Sequence, residues 1–262
     1  MASPVTSSGR LITTVSRLKN AAYLTAFRMH YVVQIGGFAQ YRFAYFEMVT
    51  HNLTKDAQSC PGGCGRDLLP RKWAQPYDVD LKQSQKIGDF VFGAGACDFL
   101  YSERLRSMIE WHNFKGIRDT FQPIEIRRMG TTKSSASRLK PTLFGARLNR
   151  VPVLFDYPAM NAEHNPAYGD PGKPCCTACH GGFYISKYDC IALRPESLTD
   201  HDIFISTQEL ATVLCNQRFR DACIENQISN VEFIPVSEYS YCDPTYDQGT
   251  HMPFPANGGY QA

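Results

Sequence analysis

The sequence predicts an α+β fold, with helices packed on a mostly antiparallel sheet and a ribbon-like module of two cysteine knuckles, and three observations carry that expectation. Short apolar or alternating runs recur at strand length. Two longer stretches repeat their apolar positions at helical spacing, and two tight, glycine-flanked cysteine pairs interrupt the pattern. With 262 residues, 43% of them hydrophobic and 20% charged, the chain can bury a sizeable core, and wholly disordered, collagenous and coiled-coil classes are excluded. A net charge of +2 is too small to mark a dedicated nucleic-acid or membrane-surface binder. No run of about eighteen apolar residues offers a spanning helix.

The first 28 residues are basic and rich in Ser and Thr, with Arg10, Arg17, Lys19 and Arg28 and no acid before Glu47. Organelle targeting, a disordered arm and an upstream start codon compete to explain them. The last is favoured, because Met29 stands directly before His30-Tyr31-Val32-Val33, the first strand-like run. One domain is therefore expected over 29–238, with 1–28 as an extension and the Pro-, Gly- and Tyr-rich 239–262 as a flexible tail.

Within the domain, Tyr31, Val33 and Ile35, then Tyr41, Phe43 and Tyr45, predict two strands about Gly36-Gly37. Further strands are expected at 77–81, 89–92, 151–155, 183–186, 202–205 and 231–236, with Pro123 marking 121–126 as an edge strand. Leu105, Met108 and Ile109 line one face of a helix over 102–114, stopped at Gly116, and a second helix is expected over 218–227. Residues 131–141 and 157–174 read as loops, and Gly93-Ala94-Gly95 as a strand-end turn.

Laying 102–124 over 216–236 matches Arg104-Leu105-Arg106 with Arg218-Phe219-Arg220, Phe114 with Ile228, and Gly116-Ile117 with Asn230-Val231. After a two-residue insertion, Phe121 to Ile124 matches Phe233 to Val236. A true duplication and a shared helix-turn-strand grammar explain this equally well, and two copies are too few for a solenoid.

Chemistry concentrates in the ten cysteines, of which Cys60 with Cys64 and Cys176 with Cys179 form close pairs, each followed by glycine or His-Gly. Zinc takes four thiolate or imidazole ligands in a tetrahedron, and two short loops giving two sulfurs each meet that geometry even when far apart in sequence. The glycines let the backbone turn its amides toward the sulfurs and so stabilise bound thiolates. Cys60, Cys64, Cys176 and Cys179 are thus the expected ligands of one structural zinc ion, in zinc-ribbon-like knuckles near 60–65 and 175–181, with Cys175 and His180 as competing donors. A closed four-sulfur site leaves no position for substrate. The chain carries no nucleophile elbow, no phosphate-binding loop and no H-E-x-x-H, and Asp200-His201-Asp202 sits where turn chemistry is the simpler role. No enzyme activity is expected. Without a secretory signal the cysteines read as belonging to a reducing, cytoplasmic compartment.

Cys60-Pro-Gly-Gly-Cys64-Gly, Trp73, Tyr77 to Leu81, Pro174 to Cys179, Pro195 to Phe204, Ala211 to Leu214, Arg218-Phe219 and Val231 to Val236 together resemble the double-CxxCG motif family. The resemblance runs from about Met29 to about Val236; the first pair has one extra residue between its cysteines, and His180 stands where the family has glycine. That family includes myxobacterial swarming toxin immunity proteins. The resemblance implies a cytoplasmic, non-enzymatic protein that neutralises a cognate protein toxin by binding it. Two alternatives remain. One is a zinc-ribbon nucleic-acid binder using the basic stretch Arg127-Arg128, Lys133, Arg138, Lys140 and Arg147; the other is a dithiol oxidoreductase.

Overall fold

The computed structural model describes residues 30–36, 43–49, 58–63, 67–69, 73–82, 86–94, 98–119, 123–129, 140–164, 176, 185–208, 212–242 and 252–253. The extension 1–28, most of the 131–141 loop and the later part of the 157–174 loop lie outside them.

The chain is mostly β, built from several small sheets, which corrects the expected arrangement of helices on one mostly antiparallel sheet with a zinc-ribbon module. Two α-helices occur among the described residues: α1 (Glu103–His112) and α2 (Gln217–Glu225). The physical reason lies in strands buried on both faces. Phe99–Ser102, Leu143–Leu148 and Val213–Asn216 carry almost no polar alternation, so their period is silent in the sequence. Of the second cysteine loop only Cys176 lies among the described residues. The described part of the first cysteine loop, 60–63, follows β3 (Gln58–Ser59), which pairs with β4 (Asp67–Leu69).

Two sheets dominate. One runs in the order β6 (Phe90–Val91), β8 (Phe99–Ser102), β11 (Leu143–Leu148), β9 (Ile117–Asp119). The other runs β12 (Arg150–Val151), β15 (Ile203–Ser206), β16 (Val213–Asn216), β1 (His30–Ile35), β17 (Val231–Pro235). Their inner faces share a central core in which Phe90, Phe99, Tyr101 and Phe144 from the first meet Val33, Ile203 and Cys215 from the second. Both helices close this core, α1 through Leu105 and Met108, α2 through Phe219, Ala222 and Cys223. Each fully buried phenylalanine there contributes roughly 2–3 kcal/mol by removal from water.

Each sheet's outer face is covered by its own lobe. On the first, Leu100 and Leu143 pack with Phe46, Val79 and Leu81 of a sheet ordered β10 (Glu125–Met129), β5 (Asp78–Lys82), β2 (Tyr45–Met48), β7 (Gly93–Ala94). On the second, Leu214 and Phe204 pack with Phe155, Tyr157, Met160 and Ile191. Ile185 and Tyr188 join that cluster from a sheet ordered β18 (Tyr241–Cys242), β14 (Ile185–Tyr188), β13 (Glu163–His164), β19 (Met252–Pro253). The segment after 239, expected as a flexible tail, thus supplies two short strands.

The edge strand expected at 121–126 is β10, displaced to Glu125–Met129 and paired in parallel with β5. Gly93-Ala94 is not a turn but β7, paired with β2. A Cβ at Gly93 would stand 2.3 Å from the Phe46 ring, so close backbone approach is what calls for glycine there.

Both helices start where the chain leaves a central strand. Ser102 caps α1 by accepting from Leu105 N, and Asn216 caps α2 by accepting from Phe219 N. The helices end on left-handed residues, Asn113 (φ 49°) and Gln227 (φ 50°), and a second left-handed pair, Gly116 (φ 108°) and Asn230 (φ 63°), turns each chain into its next strand.

Two buried carboxylates tie these ends together. Asp202 accepts from Arg218 Nη1 (2.9 and 3.0 Å), Asn216 Nδ2 (2.9 Å) and Lys115 N (2.8 Å). Asp89 accepts from Arg104, from Ser102 Oγ (2.6 Å) and from Ser229 N and Oγ (2.8 and 2.7 Å). Burial by itself would raise the Asp89 pKa, but the hydrogen bonds from Arg104, Ser102 and Ser229 outweigh it and hold the carboxyl at about 2. Because the folded value lies below the ordinary 3.8, Asp89 contributes stability that is full above about pH 4 and is lost as pH falls toward 2. The expected loss over that window is on the order of 2 kcal/mol, read as a falling urea midpoint, and Asp89→Asn should flatten that part of the acid limb. An equal acid slope in the variant would assign the loss to other carboxylates.

Candidate metal centre

Cys60 follows β3 directly and is buried. Its carbonyl accepts from Gly63 N at 3.0 Å, closing a tight turn in which Gly63 is left-handed (φ +68°), and Gly62 N points at Cys60 Sγ from 3.4 Å. This is the amide-to-sulfur geometry expected of the glycines in a knuckle, and a nearby N–H favours thiolate over thiol.

The second sulfur comes from 116 residues away. Cys176 is half-buried, and its Sγ lies 3.3 Å from Cys60 Sγ with no disulfide between them. A disulfide bond would be about 2.05 Å, and sulfurs sharing a tetrahedral ion at about 2.3 Å each would be about 3.8 Å apart. The contact lies between these values. Two thiol groups from distant knuckles, one with an amide directed at its sulfur, fit half of a four-sulfur zinc site in donor type and convergence. The other expected ligands, Cys64 and Cys179, and the competing donors Cys175 and His180, lie outside the described residues. Among the described residues, no three His, Cys, Asp or Glu side chains gather as a metal site.

The cysteines elsewhere have different surroundings. Burial pushes the Cys215 thiol well above its ordinary value and the Cys223 thiol up to about 12. Cys190 is also raised, by burial and then by Asp189. These three stay protonated at neutral pH, and Cys215 and Cys223 serve the central core as small apolar groups.

Asp200-His201-Asp202 does not assemble as a catalytic unit. Asp202 is the helix-tying carboxylate, Asp200 faces Lys115 Nζ at 2.5 Å, and the His201 ring is held on both sides, by Thr199 Oγ1 (2.6 Å) and Asn149 Nδ2 (2.9 Å). Trp73 is buried edge-on against Tyr77, a core role, whereas Trp111 is 86% exposed on α1.

Two arginines of the basic stretch have carboxylate partners, and one lysine bonds to a backbone carbonyl. Arg127 pairs with Asp78 and Glu125, Arg128 with Asp80, and Lys140 Nζ donates to Ile126 O at 2.6 Å. Lys133 and Arg138 lie outside the described residues. Sequence reasoning missed the two carboxylate ties, for which the repeated Arg-x-Arg at 104–106 and 218–220 was the available signal.

The chain matches no protein-family model, and no curated protein matches it. Among the described residues, no helix is long and apolar enough to cross a membrane.

Proposed function

We propose that this chain is a non-enzymatic binding protein pinned by one structural zinc ion on Cys60, Cys64, Cys176 and Cys179, and that it acts in the cytoplasm as an immunity protein against a cognate protein toxin. The observation that carries the metal reading is the 3.3 Å approach of Cys60 and Cys176 across 116 residues of sequence. Two thiols from loops far apart in sequence are brought together here as the ligands of a divalent ion would be. The toxin part rests on the resemblance of the knuckles and of 195–236 to the double-CxxCG family. The pairing of Arg127 and Arg128 with carboxylates weighs against the nucleic-acid alternative, because compensated charges release few counterions.

The protein should carry about one equivalent of zinc, and Cys60→Ser with Cys176→Ser should lower zinc content and thermal midpoint together, since metal binding in such a site is folding free energy. Unchanged values for both would remove the zinc reading. The same sulfur contact also suits a dithiol couple, and turnover in an insulin-reduction assay would favour that reading instead. For the toxin reading, co-expression with a neighbouring toxin gene should restore growth, and failure against every adjacent candidate would count against it.

A further inference from the structure

We infer that the chain consists of two equivalent halves, from about residue 30 to 124 and from about 143 to 236, that have swapped their central strands, with the cysteine clamp locking one end of the seam between them. The registers carry the equivalence. In the second sheet His30, Tyr31 and Val32 of β1 face Asn216, Cys215 and Leu214; in the first, Leu143, Phe144 and Gly145 of β11 face Ser102, Tyr101 and Leu100. Shifting by 113 positions on the central strand (30 to 143) and 114 on its neighbour (102 to 216) maps one register onto the other.

The far side agrees. Val33, Gln34 and Ile35 face Phe233, Glu232 and Val231, as Ala146, Arg147 and Leu148 face Asp119, Arg118 and Ile117. The outer pairings Phe90 with Tyr101 and Ile203 with Cys215 are related in the same way. Side chains follow the backbone: Arg106 sits over the Phe144 ring at 4.3 Å and Arg220 over the Tyr31 ring at 4.8 Å. The partner assignment is what reveals the swap. β1, from the first half, completes the sheet of β16 and β17, while β11, from the second, completes that of β8 and β9.

The carboxylate ties cross the same seam. Asp89 of the first half accepts from Ser229 of the second, and Arg104 Nη2 donates to Gln227 O at 2.9 Å. In return Asp202 accepts from Lys115 N, and Arg218 Nη2 donates to His112 O. Cys60 and Cys176 are also one per half, shifted by 116. Besides the exchanged strand ladders, the seam is thus fastened at the helix ends by hydrogen bonds from each aspartate–arginine pair to the turn of the other half, and at the knuckles by a joint that, on the zinc reading above, is removable. Loss of metal should loosen the knuckles and leave the helix ends closed.

Hydrogen exchange followed by mass spectrometry on the full chain tests this, with zinc content measured on the same samples. Chelation with EDTA should raise exchange at 58–63 and in the peptide that contains Cys176, while 115–117, 229–231 and both helices keep their protection. Asp202→Asn should raise exchange at the start of α2 and, across the seam, at 115–117, and Asp89→Asn at the start of α1 and at 229–231. Arg218→Gln and Arg104→Gln, which alter half-exposed side chains, give the same two readouts if an aspartate variant does not fold. Variants that loosen only their own half would overturn the cross-seam arrangement, and chelation that deprotects the helices equally would overturn the separate lock. Protein that purifies without zinc would overturn the metal clamp alone, because the variants still decide the seam.

Discussion

Asp202→Ala is expected to lower folding stability by about 3–4 kcal/mol, among the largest effects of any single substitution in this chain. The carboxylate is 2% exposed and gathers a guanidinium, a side-chain amide and a backbone N–H. Removing it strips the acceptor from Lys115 N and Asn216 Nδ2 and leaves a guanidinium beside the Phe114 ring, 4.6 Å from its centroid, without its counter-charge. Asp202→Asn, which keeps an oxygen for the backbone donor, should cost roughly half as much. Urea unfolding monitored by far-ultraviolet circular dichroism measures both. A loss below about 1 kcal/mol for the alanine variant would mean that water replaces the tie without penalty.

Gly116→Ala should cost about 3 kcal/mol or more, by a different mechanism. Gly116 has φ +108°, outside the region an L-residue adopts easily, and a Cβ there would lie 1.8 Å from Ile203 O. Relief requires pulling apart the turn in which Ile203 N donates to Lys115 O and Asn149 N to Gly116 O. Gly63→Ala is the control: its φ is +68°, nothing among the described residues lies within 4 Å of the added carbon, and the left-handed cost of about 1 kcal/mol is expected. The thermal midpoints of the two variants should therefore separate clearly, and equal shifts would refute the steric account.

The second half shows why glycine is particular to the first. Its counterpart Asn230 sits at φ 63°, where asparagine is tolerated, and its side chain donates to Phe90 O at 2.7 Å. One turn serves both halves with different residues because the local angle differs.

Local chemistry was legible in the chain. The apolar spacing of Leu105 and Met108 placed α1, and the helix expected over 218–227 is α2, each within a residue or two of the expected bounds. The runs at 77–81, 202–205 and 231–236 are strands displaced by about a residue, and 183–186 is displaced by two. One missed strand was buried on both sides: Phe99-Leu100-Tyr101 divides its side chains between two cores, so all three residues are apolar in sum and no alternation survives, while the strand expected at 151–155 is only β12. The match of 102–124 to 216–236 needed no insertion in the strand, since Asp119, not Phe121, occupies the place of Phe233.

By itself, the sequence determined the two helices and the pairing of thiols with glycine, because these depend on residues within a few positions of one another. The tertiary structure decided that β1 and β11 change places, that Asp89 and Asp202 each reach the turn after the opposite half's helix, and that Cys60 meets Cys176. Those contacts join groups roughly a hundred residues apart, and free energy gained at such separation, from burial or from a charge leaving water, leaves no periodic trace along the chain.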